Sequence, residues 1–212
     1  MSTTETAAER LTMPLGEAIF TQRAIRRLKP DPIPEHDLTA ILQAATRAPS
    51  GGNVQPWHWL VVRDPRQRAK FGELYREAWW AKRHDGGIER PEDIPPESPL
   101  IHAMKLADTI AEAPVIVLAC ATAQGRGAAE NVIPACQNLL LAARGLGIGG
   151  TITTLHPTVD ERLHALFDIP EHAQVVYCIP LGYPRGNFGP ATRKPLSEVT
   201  SLDRWGETPD WL

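Results

Sequence analysis

Residues 128–146 constrain the fold most. Val132, Ala135, Cys136, Leu139, Leu140 and Ala143 recur there at helical spacing, so densely that the helix they form must be covered on most sides. Such a helix lies inside a domain, and it is predicted to be the central one. Gly145, Gly147, Gly149 and Gly150 follow and lead into Thr151-Ile152-Thr153-Thr154-Leu155, a β-branched run read as a strand. A dinucleotide fingerprint has the opposite order, with its glycine turn following a strand and opening a helix. A Rossmann fold is therefore not expected.

The remaining elements can be arranged around that helix. Residues 16–23 read as a short helix running into Arg23, Arg26, Arg27 and Lys29, stopped by Pro30, Pro32 and Pro34. From Glu35, the residues Leu38, Ile41, Leu42 and Ala45 mark one buried helix face that ends before Pro49. Strands are predicted over residues 57–62, 115–120 and 174–181, and helices over 67–82, 100–113 and 159–167. Residues 84–99 hold Gly86, Gly87 and four prolines, too broken for regular structure. An excursion of that length inside a domain serves as a lid, a binding loop or a disordered connection. Strands interspersed with helices at uneven spacing imply an α+β sandwich with helices packed around one sheet.

The chain has 212 residues, 42% of them hydrophobic, enough for one sizeable core. Its 22 basic and 25 acidic residues are dispersed, so neither a nucleic-acid face nor a membrane-binding face is expected. Residues 1–13 are read as a polar disordered tail. No targeting segment and no unbroken run of ~18 apolar residues is present, which points to a cytoplasmic protein. Cys120, Cys136 and Cys178 are odd in number and sit in apolar runs, where a thiol behaves as a small core hydrophobe.

Three stretches could carry chemistry. Arg23 and Arg26 share a helical face and can converge on one anion, or they can simply form a solvated basic helix end. In Pro49-Ser50-Gly51-Gly52-Asn53-Val54-Gln55-Pro56-Trp57, two glycines permit a sharp turn while Ser50, Asn53 and Gln55 offer groups that could edge a planar heterocycle. A polar helix cap would also explain the glycines. The glycine turn at 147–150 could present backbone N–H groups to a ligand or be turn chemistry alone. No metal-ligand spacing, nucleophile elbow or phosphate loop occurs, so difficult chemistry would need a cofactor.

These stretches occur in an order that resembles the FMN-dependent nitroreductase family. The similarity runs from Thr21-Gln22-Arg23-Ala24-Ile25-Arg26-Arg27-Leu28, through residues 48–57 and Gln137-Asn138-Leu139, to Leu181-Gly182-Tyr183-Pro184 and Arg193-Lys194-Pro195. The resemblance implies a nitroreductase-like α-β-α sandwich: a mixed or antiparallel sheet flanked by helices, in an intertwined homodimer with FMN at the interface. It implies a domain over residues 14–185 and a C-terminal arm, residues 186–212, that wraps the partner through Trp205 and Trp211.

By the same resemblance Arg23 and Arg193, with Lys194, hold the FMN phosphate, and Arg26 reaches the pyrimidine edge. Pro49, Ser50 and Gly51 line the ring and ribityl chain, Asn53 and Gln55 make polar contacts, and the Gly149 and Gly150 backbone approaches N5 and O4. Gln22 and Ala24 depart from the commoner basic residue and serine, so one phosphate hydrogen bond is expected to be missing or replaced. The implied activity passes hydride from NADH or NADPH through flavin N5 to a small acceptor such as a nitroaromatic or quinone, in ping-pong order and without a protein nucleophile. Trp79, Trp80 and the 84–99 loop would cover the exposed ring face. Related alternatives are a dehalogenase, a flavin-degrading enzyme, or a non-catalytic protein that sequesters or senses FMN.

Overall fold

The computed structural model describes residues 6–212. Helices α1 (Ala7–Arg10), α2 (Leu15–Thr21) and α3 (Glu35–Ala45) precede strand β1 (Trp57–Val62). Then come α4 (Pro65–His84), α5 (Leu100–Thr109), β2 (Val115–Ala121), α6 (Arg126–Gly145), β3 (Gly149–Gly150), α7 (Asp160–Phe167) and β4 (Gln174–Gly182). The strands form one sheet in the order β1-β2-β4-β3, and every pairing is antiparallel. This is the expected α+β class.

All of β2 is buried, so its side chains alternate into two separate cores. On one face Val115, Val117 and Ala119 meet α3 and α6 through Ile41, Leu139 and Ala143. On the other, Ile116, Leu118 and Cys120 meet α4, α5 and α7 through Phe71, Leu106 and Leu163. Helices on both faces complete three layers. α6 buries Val132, Ala135, Cys136, Leu139, Leu140, Ala142 and Ala143, as its density of apolar residues requires. Each large side chain removed from water there contributes about 1.5–3 kcal/mol.

Two expectations need correction. The tail expected to be disordered folds from Thr6 onward: the Thr6 hydroxyl accepts from Glu9 N and the Glu9 carboxylate accepts from Thr6 N, a capping box that starts α1. α1 is tied to α3 by an ion pair between Arg10 and Asp37. The rest of that tail, residues 1–5, lies outside the described residues. The strand expected over residues 151–155 is also absent as such. The regular pairing is confined to Gly149 and Gly150, and only Thr153 returns to the sheet, in an isolated bridge with Cys178.

The 84–99 segment holds a short 3-10 turn at Pro91–Asp93 and is pinned by Ile94, which is 3% exposed. Among the described residues no helix is long and apolar enough to cross a membrane.

Candidate functional site

After α2 the chain runs extended along the sheet edge, where Ile25 N donates to Gly150 O at 2.9 Å and Ile25 itself is buried. β3 is glycine because of this approach. A Cβ on Gly149 would lie 2.8 Å from Ile25 Cβ, and one on Gly150 would lie 2.8 Å from Pro180 O. The backbone of both glycines is engaged in pairing with Gly182 and Leu181. Both glycines are thus explained by close packing that holds the arginine segment against the sheet.

Beside them the Thr151–Thr154 stretch peels away from β4 and walls a cavity of about 270 Å³. Arg26, Tyr75, Trp79, Lys82 and Arg83 also line it. Tyr75 is buried, and its Oη lies 2.6 Å from Thr153 Oγ1. Burial pushes the Tyr75 phenol up, partly offset by the Thr153 hydrogen bond and the positive charges of Arg26 and Arg83, so it stays a neutral hydroxyl. The Arg83 guanidinium stacks over Trp79 at 5.2 Å, and its buried Nε has no hydrogen-bond partner. Among the described residues, no ion pair to a carboxylate involves Arg26, Lys82 or Arg83. No carboxylate lines the cavity either. Lys82 Nζ instead reaches Thr154 Oγ1 at 3.4 Å. Three uncompensated cations facing threonine hydroxyls suit an electron-rich, hydrogen-bonding ligand.

Lys82, Arg83, Tyr75 and the threonines were not anticipated from the sequence as site residues. Lys82-Arg83-His84 at the end of α4 looks like ordinary complementation of a helix dipole. The available signal was the threonine run directly after a glycine pair.

The other expected residues are dispersed. Trp79 lines the cavity from α4 and meets Trp80 edge-on, with ring centroids 4.9 Å apart. Trp80 does not line it. Arg23 and Ala24 are exposed on the extended segment, and Arg193 and Lys194 are exposed in the arm, where Arg193 donates to Thr192 O.

Pro49, Ser50, Gly51, Asn53 and Gln55 form a separate, mostly exposed turn before β1. Gly52, Asn53 and Gln55 all have positive φ, a conformation unusual for glutamine. The turn is held by Gln55 N donating to Ser50 Oγ at 3.0 Å and Gly51 N donating to Asn131 Oδ1 at 2.8 Å. Strain maintained on a surface turn accompanies binding roles.

Strand register places this turn far from the cavity within one chain. Trp57 pairs with Ala121, which pairs with Gln174, whereas Gly150 pairs with Leu181. The two motifs thus occupy diagonal corners of the sheet, about 25 Å apart from strand spacing and rise.

A family model described as the nitroreductase family matches residues 19–183. A Methanothermobacter thermautotrophicus protein, provisionally named NADH dehydrogenase/NAD(P)H nitroreductase, is 33% identical over 91% of this chain and 88% of its own. Iodotyrosine deiodinase 1 of Rattus norvegicus is 29% identical over 86% of this chain and 67% of its own. A crystal structure of a nitroreductase with bound FMN from Desulfitobacterium hafniense superposes with a TM-score of 0.68, at 20% identity, covering 88% of this chain and 97% of that one. With a family match across most of its length and this fold, the chain belongs to the nitroreductase family.

Proposed function

We propose that this chain is an FMN-dependent oxidoreductase that takes hydride from NADH or NADPH and passes it to a small acceptor, working as a homodimer. The observation that carries the reading is the carboxylate-free cluster of Arg26, Lys82 and Arg83 around Thr151–Thr154. This donor set fits a flavin, whose pyrimidine edge offers carbonyl and ring-nitrogen acceptors.

When bound, the flavin supplies hydride acceptance and donation, and its ring gains negative charge on reduction. Arg26, Lys82 and Arg83 would hold the ring by supplying fixed positive charge in the cavity, where a low-dielectric wall of Trp79 and Leu106 would strengthen it. Thr153 presents a hydroxyl whose position is set by Tyr75. Arg23, with Ala24 beside it, and Arg193 with Lys194 would hold the phosphate. No side chain in the cavity needs to act as a nucleophile.

The diagonal separation of the two motifs supports a site shared by two chains. Pro49, Ser50, Gly51, Asn53 and Gln55 of one subunit would complete the cavity of the other across a two-fold axis. Exposed apolar side chains are plentiful for such an interface: Phe20 is 77%, Leu15 70%, Trp211 71% and Trp205 fully exposed. A groove of about 740 Å³ between α1, α2, α3 and α6 adjoins Leu15. The arm, residues 186–212, would wrap the partner, and the 84–99 loop, ending at Leu100 in the cavity wall, would cover the acceptor's face together with Trp79 and Trp80.

The purified protein is expected to be yellow, to release FMN on denaturation, to bleach anaerobically with NADH or NADPH and to recover colour with a nitroaromatic or quinone. A colourless protein that binds no FMN would overturn the reading. The deiodinase relative supports a second reaction at the same site, reductive removal of halide from a halogenated phenol. Halide release with a nitroaromatic left untouched would favour it.

A further inference from the structure

A second cavity, of about 370 Å³, adjoins the first, with Arg26 and Leu106 lining both. Its walls carry Arg26, Arg27, Lys105 and Arg185 against a single carboxylate, Glu112. Among the described residues none of these five side chains is in an ion pair. Arg185 is set in place by its own backbone: its Nε donates to Leu28 O at 2.9 Å, and its amide donates to Arg27 O at 2.9 Å. The fork of its guanidinium is thereby held beside the cavity without an acidic partner. Lys105 comes from α5 and Arg27 from the extended segment, so three parts of the chain place cations around one recess.

We infer that this recess is a second phosphate site, which takes a ribose phosphomonoester of the hydride donor and so favours NADPH over NADH. This rests on the oxidoreductase reading above. An excess of cations suits a phosphomonoester dianion better than a diester monoanion, and guanidinium forks match phosphate oxygens in pairs. The volume exceeds that of a bare phosphate and accommodates an attached sugar. Sharing Arg26 with the first cavity puts the recess where the remote end of a dinucleotide, with its nicotinamide at the flavin, could reach. Arg27, Lys105 and Arg185 have no role in the flavin site described above.

Calorimetric titration of the purified flavoprotein with 2′,5′-ADP and with 5′-AMP isolates the extra phosphate without any turnover. The expected result is that 2′,5′-ADP binds at least about tenfold tighter, the equivalent of one charge-assisted hydrogen bond. In Arg27→Gln/Lys105→Gln the difference should collapse, and the ratio of NADPH to NADH kcat/KM should fall by a similar factor. Lys105→Gln alone, at an exposed position, is expected to give a partial loss and serves if the double variant folds poorly.

Equal binding of the two nucleotides by the unsubstituted protein overturns the inference, as does a double variant that keeps the difference. So does a double variant that loses its preference for FMN over riboflavin, because the recess would then serve the flavin's own phosphate. If the protein proved to hold no flavin, the oxidoreductase reading would fall, and the nucleotide titration would still decide whether the recess reads the extra phosphate.

Discussion

Tyr75 Oη lies 2.6 Å from Thr153 Oγ1, joining the core of the α4 layer to the one residue of the 151–155 run that returns to the sheet. Thr153 is also fixed through its backbone, with Thr153 N to Cys178 O at 3.0 Å and Cys178 N to Thr153 O at 2.8 Å. If the neutral phenol donates, the threonine hydrogen is left to point into the cavity. Tyr75→Phe should therefore cost about 0.5–1.5 kcal/mol of stability, the net value of one hydrogen bond. It should also weaken flavin binding several-fold, because the threonine hydroxyl can then turn back into the protein. Urea unfolding and fluorescence titration with FMN measure the two effects. An unchanged FMN Kd in a destabilised variant would leave the pair a purely structural role.

The cation cluster predicts a redox effect with a definite sign. Removing positive charge beside a ring that becomes negative on reduction makes reduction harder, so Arg83→Gln should shift the bound-flavin midpoint potential downward. A shift of about 30 mV corresponds to a tenfold change in the two-electron equilibrium. Spectroelectrochemistry on Arg83→Gln and Lys82→Gln reads it directly, and an upward or null shift in both would remove the electrostatic role assigned to them.

Much of the layered fold is legible in the sequence because burial on two faces leaves a strong signature. The run from Val115 to Cys120 has no polar residue to expose, and residues 128–146 are too apolar for a surface helix. The threonine run misleads for a physical reason. β-Branched residues favour extended backbone, but pairing at the sheet edge depends on whether a neighbour is there to bond, and after Gly150 the chain leaves β4 until Thr153. Long-range convergence is what local pattern cannot convey. Nothing near Lys82 and Arg83 in sequence indicates that they face Arg26, more than fifty residues earlier. The Thr6–Glu9 capping box, by contrast, is a local signal, a threonine three residues before a glutamate.

Gly149 and Ile25 make a testable steric pair. Gly149→Ala places a Cβ within 2.9 Å of three Ile25 carbons. Overpacking of this kind costs about 1–3 kcal/mol, and displacing Ile25 moves the segment that carries Arg26. Gly149→Ala should lower Tm and FMN affinity together. Ile25→Ala in the same chain makes room for the new methyl and should restore part of both, a non-additive result that a double-mutant cycle detects. Strict additivity would mean that the glycine is not needed for this contact.

The cysteines predict alkaline behaviour. Burial raises the Cys120 thiol to about 11 and Cys136 to about 12, and pushes Cys178 higher still. Above about pH 9 the unfolded thiols ionise while the folded ones keep their protons. The native state then binds more protons than the unfolded state, and stability must fall as pH rises from about 9 towards 11–12. Each thiol adds at most about 1.4 kcal/mol per pH unit to that slope. Cys136→Ala, compared with the unsubstituted protein, should flatten it in pH-dependent unfolding, and all three thiols should resist alkylation at pH 8 until the protein is denatured.

The diagonal placement of the motifs makes subunit complementation the most direct test of a shared site. If Arg26 of one chain and Ser50 of its partner meet the same flavin, Arg26→Ala and Ser50→Trp homodimers should each be inactive, the first through lost charge and the second through obstruction. A dimer containing one chain of each kind concentrates both lesions in one site and leaves the other site intact. Refolding an equal mixture makes half of the dimers mixed, each with one good site, so activity should return to roughly a quarter of the unsubstituted value. Substitutions in a site built within one chain cannot complement in this way, because every chain would carry its own defect. A mixture as inactive as its two components, with mixed dimers demonstrated by mass spectrometry, would place both motifs in the same chain's site and contradict the strand register that holds them at opposite corners.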